Sequence, residues 1–484
     1  MDSKETAPVS RMQTQTHEVA AVDIEAEEPA IGDDPRSWQL GRKWLILLIA
    51  SWLCLVSPLA SSMVAPATGL MNAEFHNDSQ TLTTFTVSFF ILGYVVGSLI
   101  AAPLSEQYGR KVILDITTTI FAIWQLACAL APNITSLLIF RLFAGLGGSA
   151  CLSIGGGIVS DLFDSDGRGT ATAVFALGPL LGPVIGPIIG GFLSQKAGWR
   201  WIFWFLFLLG TLTVILQVAV SRETNLRVIL ARKHAFKGRS LSWWHRLDWY
   251  GPVEGAKDVD LMQSMLRPWK FIFTSPITGL LCLYSGFVYG LLYLLLTTIT
   301  TVFVAQYHWS IGISGLSYIA IGIGFLLGVA LIGSTSDRIM VKYAKRHNGE
   351  AVPEVRLRVC VYYSFLIPIS FVWYGWASHQ QAFWLAPITG LVCFGLGMIG
   401  IFLPVQTYMI DAFPEYAASS TAALASSRNV VGTFLPLAGP FLYEALGLGW
   451  GNTLLAFVAL ALIPAPYFIA KYGKGLRLKY PIQI

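Results

Sequence analysis

Charge is what this sequence has least of. Asp, Glu, Lys and Arg together make up 12% of its 484 residues, about half the share of an ordinary soluble domain. A soluble chain of this length divides into about three domains, and 32 basic plus 27 acidic residues cannot coat three surfaces. The shortage argues against a soluble enzyme, a disordered regulator and a nucleic-acid binder alike. Histidine is as thin. His17, His76, His234, His245, His308, His347 and His379 fall in tails, loops or span edges without ligand spacing, so neither a metal site nor a polytopic membrane enzyme is expected. The six cysteines lie inside apolar runs, and no pair has zinc-finger spacing. They read as small buried hydrophobes rather than metal or disulfide chemistry. The first 43 residues lack the apolar core and cleavage site of a signal peptide. They are polar, with an acidic stretch from Asp23 to Asp34, and read as a disordered cytosolic tail.

Apolar residues are what the chain has: 55% of the total, with a mean hydropathy of +0.62. Twelve apolar segments can be marked, at about 44–68, 82–104, 112–131, 134–160, 170–194, 199–221, 276–305, 311–333, 357–377, 382–410, 417–445 and 450–470. Each is near or above the length that crosses a bilayer as a helix. Loops after spans one, three, seven, nine and eleven carry no lysine or arginine, and the loop after span five carries only Lys196 and Arg200. Of the 32 basic residues, 28 lie on the other side, and Arg141 and Arg428 lie within spans. The positive-inside rule then predicts both termini in the cytosol. The expected fold class is an all-α polytopic membrane protein with 12 transmembrane helices. Its expected divisions are a tail (1–43), a six-helix bundle (44–221), a cytosolic linker (222–275), a second six-helix bundle (276–470) and a tail (471–484). The linker stretch from Asn225 to His234 has the pattern of a basic amphipathic helix suited to an anionic leaflet; a solvated charged linker fits it equally.

Six spans plus six predict a duplication. Span two ends in Ala102-Pro-Leu-Ser-Glu106-Gln-Tyr-Gly109-Arg110-Lys111, and span eight in Gly333-Ser-Thr-Ser-Asp337-Arg338-Ile-Met-Val-Lys342. Both place an acid four residues after a small residue, then a basic cluster. Glu106 and Asp337 stand where a chain leaving the membrane meets the positive N-terminus of a neighbouring helix. Arg110 and Arg338 are the expected partners of acids at other helix ends, such as Asp161. Span five reads Gly178-Pro-Leu-Leu-Gly182-Pro-Val-Ile-Gly186-Pro187-Ile-Ile-Gly190-Gly191. The four-residue spacing keeps these glycines on one stripe, where another backbone can approach, and the prolines permit bending. A bending element is expected, with a plain packing face as the alternative. Span eleven holds a looser version at Gly432, Pro436, Gly439 and Pro440.

These motifs resemble those of the major facilitator superfamily, and within it the fungal 12-spanner drug:proton antiporters. Glu106, Gly109, Arg110 and Lys111 are similar to the loop signature, with Ala102 where glycine is usual. Leu137, Arg141, Ala144 and Gly145 are similar to the span-four motif. Gly182, Gly186, Pro187, Gly190 and Gly191 match the antiporter motif of span five. Smaller matches are Asp34-Pro35-Arg36-Ser37-Trp38, Trp199-Arg200-Trp201 and Gly449-Trp450-Gly451-Asn452-Thr453. The resemblance implies two pseudo-symmetric six-helix bundles around a central cavity that opens alternately to each side. It implies a plasma-membrane exporter of drugs, toxins or secondary metabolites, driven by the proton gradient and needing no cofactor. A nutrient uptake carrier of the same fold and a non-transporting sensor are the rival readings. The implied partners are the lipid bilayer, a small amphipathic substrate and protons, with no nucleic acid, and a monomer is expected.

A charge within a span is costly and marks function by default. Arg141 is the expected coupling residue, with Glu106, Gly109, Arg110, Asp161, Asp337, Arg338 and Arg428 as the rest of the coupling and gating set. A guanidinium does not itself release a proton; it acts on a neighbouring acid or ties proton movement to helix position. No acid occurs between Trp44 and Met71, and Asp115, Asp161, Asp411 and Glu444 lie near span ends, so proton coupling rests on the resemblance. Two arginines within spans favour an anionic or carbonyl-rich substrate. Tyr284, Tyr289, Tyr293, Gln406 and Tyr408 are the expected cavity residues, since aromatic walls with few fixed polar groups suit amphipathic molecules.

Overall fold

A bilayer offers backbone groups no partners, so a spanning chain must satisfy them internally. In the computed structural model, which describes residues 34–235, 261–346, 353–413 and 416–479, every regular element is a helix. The first six spans are α1 (Leu40–Ser62) with α2 (Thr68–Phe75), α3 (Gln80–Tyr108), α4 (Arg110–Ala129), α5 (Ile134–Gly148) with α6 (Ala150–Leu162), α7 (Ser165–Ala197) and α8 (Arg200–Val220). Between the halves stand α9 (Leu226–Ala235) and α10 (Leu261–Thr274). The second set is α11 (Pro276–Tyr307), α12 (Ile311–Gly315) with α13 (Ile319–Arg346), α14 (Glu354–Ser364) with α15 (Leu366–His379), α16 (Leu385–Ala412), α17 (Ala417–Phe434), α18 (Ala438–Leu462) and α19 (Pro464–Lys479).

Eleven stretches are long and apolar enough to cross a membrane, and the last runs 55 residues, from Ser419 to Gly473. At 1.5 Å per residue that is about 80 Å of helix, far beyond a hydrocarbon core of about 30 Å. It divides at Gly447, whose backbone is non-helical (φ 71°), so the stretch holds two crossings and the total is twelve.

The two halves repeat each other in three dimensions. Span one packs on span five (α1 on α7), span two on four (α3 on α5), and span three on four and six (α4 on α5 and α8). Shifted by six spans, the same pairs recur as α11 on α17, α13 on α16, and α15 on α16 and α18. Between the halves, α3 meets α17, and α7 meets α12 and α13; these contacts are also exchanged by the six-span shift. Glycines set the spacing. A Cβ on Gly145 would stand 1.9 Å from the Phe90 carbonyl oxygen, and one on Gly93 2.2 Å from that of Leu142. Gly190 comes equally close to the Met63 carbonyl, and in the second half Gly324 and Gly395 let α13 and α16 touch. Gly156, by contrast, faces open space. Overpacking of this kind costs about 1–3 kcal/mol. Gly145→Ala is therefore expected to lower the thermal midpoint of the detergent-solubilised protein, while Gly156→Ala leaves it unchanged or raises it through helix propensity.

Candidate functional site

Three polar layers cross the molecule. The first lies on the face that carries the basic loops. Gly109, at φ 101°, separates α3 from α4, and the absence of a side chain there admits a carboxylate: a Cβ would lie 2.2 Å from Glu223 Oε2. Glu223 accepts hydrogen bonds from the Arg110 and Lys111 amides (2.9 and 3.2 Å), which are unpaired first-turn donors of α4, and from the amides of Thr224 and Asn225 (3.0 and 2.9 Å). A negative charge at a helix N-terminus is also favoured by the dipole. Arg110 Nε donates to Asp161 Oδ2 at 2.9 Å, and Thr224 Oγ1 reaches the same oxygen at 3.3 Å. Arg232 of α9 donates to the Tyr108 carbonyl at 2.7 Å. The basic helix expected after span six thus forms, but it turns Arg232 into the protein. Lys111 pairs with Asp115 at 3.1 Å.

The expected cap, Glu106, is instead exposed, and its backbone carbonyl, not its carboxylate, is what the described residues engage, through Asn225 Nδ2 at 3.4 Å. Glu223 takes that place. The signal for it is an acid three residues after Val220, the last apolar residue of span six. In the second half, Arg356 Nε meets Asp411 Oδ2 at 2.7 Å, repeating Arg110 and Asp161 six spans on. Arg477, from α19 beyond span twelve, pairs with the buried Glu354 at 2.8 Å. Asp337 and Arg338 fall on α13, but their side chains lie outside the described residues; the arginine seen to hold the helix-end acid is Arg356.

The second layer lies mid-membrane. Arg141 is fully buried, with its guanidinium donating to the carbonyls of Ala60 (3.3 Å), Ser61 (3.0 Å) and Val87 (3.3 Å). Ala60 and Ser61 belong to the last turn of α1, whose carbonyls lack helical partners and carry the negative end of the dipole. Arg141 therefore caps α1 where it breaks into the 3-10 turn Ala65–Ala67. The Ser61 hydroxyl donates to the Pro58 carbonyl (2.8 Å) and so accepts from Tyr293 OH (3.0 Å) across the bundle interface. The Tyr293 and Tyr289 rings lie 5.1 Å apart at a tilt of 56°, Tyr289 lies 6.0 Å from Phe402, and Arg428 sits over the Phe402 ring at 5.0 Å. The two arginines are thereby joined through Ser61, Tyr293, Tyr289 and Phe402. A charged side chain at this depth costs about 2.5–3.5 kcal/mol on insertion scales. The carbonyl cage offsets that for Arg141. The other expected cavity residues do not join this seam. Tyr284 donates to Ser364 within the second half (2.6 Å), Tyr408 is buried with its hydroxyl unpartnered among the described residues, and Gln406 is exposed.

The third layer closes the opposite face. Gln195 Oε1 accepts from the Gly312 amide at 2.8 Å, Gln80 Nε2 donates to Glu444 Oε2 at 3.3 Å, and a Cβ on Gly191 would lie 2.8 Å from the Ile311 carbonyl. Gly182 and Gly186 of the same stripe rest on α1 beside Leu55, Leu59 and Ser62, so span five uses its glycines as a packing face. On this side Arg200 binds Glu74 (2.8 Å) and the carbonyls of Ala129 and Ala131 (2.9 and 3.0 Å), gathering the ends of α2 and α4.

Two six-helix repeats, joined to each other at one face and each tied by its own ion pairs at the other, define a multi-pass membrane transporter. Over residues 50–436 the chain matches the Major Facilitator Superfamily, and it belongs to that family. Its relatives include the MFS transporter cpaT of Aspergillus oryzae, 46% identical over 93% of this chain and 90% of that one. The MFS-type transporter penM of Penicillium rubens is 42% identical over 95% and 90%, and the efflux pump radE of Floropilus chiversii 39% identical over 95% and 85%. In fold it is similar to the xylose transporter XylE from E. coli in a partially occluded inward-open conformation (TM-score 0.66, 15% identity, 89% and 98% covered).

Desolvation raises the Glu223 carboxyl above the usual glutamate range, against the opposing pull of the Asn225 and Arg110 amides and Arg232. A group so shifted lends its stability in full below about pH 4.3 and loses it as pH rises through the raised value. The difference in thermal midpoint between wild type and Glu223→Gln is thus expected to favour wild type more at pH 5 than at pH 7. Glu223→Ala, which uncaps α4, is expected to cost about 0.5–2 kcal/mol in the same assay.

Proposed function

We propose that this protein is a secondary active exporter of small amphipathic molecules, driven by proton antiport through alternating access. In this reading it sits in the plasma membrane with both termini in the cytosol. The observation that carries the proposal is the seam from Arg141 through Ser61 to Tyr293. It joins the bundles at mid-membrane, next to the glycine stripe of α7 and beneath the closed face, where a rocking motion must break it. Names among the relatives that include an efflux pump support the direction of transport, and the basic-residue asymmetry supports the orientation of the chain.

Inside-out plasma-membrane vesicles with an acidified lumen are expected to take up a fluorescent amphiphile that is not a weak base, and a protonophore is expected to abolish the uptake. A Cβ on Gly186 would lie 2.3 Å from Ser62 Oγ and 2.8 Å from the Leu59 carbonyl. Gly186→Leu is therefore expected to abolish uptake while the protein still reaches the membrane. Uptake driven only by the reverse gradient would assign an import carrier instead.

A further inference from the structure

The two arginines inside the membrane are held in opposite ways. Arg141 lies over Phe90 and donates from both terminal nitrogens to three carbonyls. Arg428, on α17, makes no hydrogen bond or ion pair among the described residues; its contact is the face of Phe402, with Tyr289 beside it. No carboxylate of the chain lies in the middle of a span to neutralise it. A guanidinium carries five donors in a planar fork, and a cation kept inside a membrane protein without a partner marks a site rather than a scaffold. Tyr289, Phe402 and Arg428 stand on three different helices and each keeps accessible surface, whereas adjoining Tyr293, Leu424 and Ile401 are buried. The place is the interface itself, since Tyr293 reaches Ser61 of the other bundle.

We infer that Arg428, flanked by Tyr289 and Phe402, binds the anionic group of the transported molecule, so that the substrate class is amphipathic organic monoanions. The fork of Arg428 suits a carboxylate or a similar delocalised oxyanion. The two rings cover the apolar body beside the charge. The cage around Arg141 leaves that residue to hold α1 and gives Arg428 the recognition role. This inference rests on the exporter reading for what happens to the bound anion, but the binding site stands or falls separately.

The test is thermal unfolding of the full-length protein in detergent with naphthalene-2-carboxylate or its uncharged counterpart naphthalene-2-carboxamide. The carboxylate is expected to raise the wild-type midpoint by about 3 °C or more at saturation, and the carboxamide by much less. Arg428→Met removes a charge held within the membrane without an ion-pair partner among the described residues, so its midpoint without ligand is expected to rise and its response to the carboxylate to vanish. Arg428→Lys keeps the charge without the fork and is expected to respond with an affinity reduced about tenfold. Equal stabilisation by the two probes, or a wild-type response in Arg428→Met, overturns the inference. Vesicle uptake separates the two readings. If Arg428→Met carries the carboxylate as wild type does, the site is wrong and the exporter stands. If no probe is transported while wild type alone binds the carboxylate, the site stands and the exporter falls.

Discussion

Direct contact between helix backbones is the constraint from which the rest of this molecule follows. In a bilayer the hydrophobic effect does not drive helices together, so association depends on close packing and on what small residues permit. Here α1 lies against the glycine stripe of α7 so closely that Cβ atoms on Gly178, Gly182, Gly186 or Gly190 would strike its main chain or Ser62. That contact fixes the end of α1, and the end of α1 supplies the carbonyls that hold Arg141. The same turn of helix presents Ser61 to Tyr293 of the other bundle. Packing, the buried cation and the inter-bundle bond are thus one structure, built on missing side chains.

The bilayer also sorts charge. Described ion pairs stand at helix ends, and the two halves use the same device, an arginine from the first turn of the third span on an acid ending the fourth. They differ in the residue that folds back after the sixth. In the first half Gly109 leaves bare amides and room, so the arriving group is an acid, Glu223. In the second half α14 opens with its own acid, Glu354, so the arriving group is a base, Arg477. The sign follows from what the first turn already contains.

Much of this was legible one-dimensionally. Spacing of apolar runs, the asymmetry of lysine and arginine, and the glycine period all report on the local requirements of a spanning helix. Arg110 with Asp161, and Tyr289 with Tyr293, were readable because motif and helical spacing place them. Glu106 was misleading, because its position in a motif says nothing of which way its side chain turns once α3 ends. Glu223 is distant from Gly109 in sequence and meets it only after α8 has returned to the same face. Tyr284, Gln406 and Tyr408 share the composition of a binding wall and the helices of the seam, yet Tyr284 and Tyr408 lie on other faces of α11 and α16, and Gln406 lies one turn beyond Phe402.

The sequence by itself determined that the chain spans a membrane twelve times, in two matched sets with most of their basic residues on one side, because burial in lipid constrains every residue locally. Only the tertiary structure decided which charges are spent. Arg141 and Arg428 are the same residue at similar depth, and composition cannot separate them. Both lie over aromatic rings, but only Arg141 also meets the uncapped carbonyls at the end of α1, and that difference arises from packing between segments far apart in the chain.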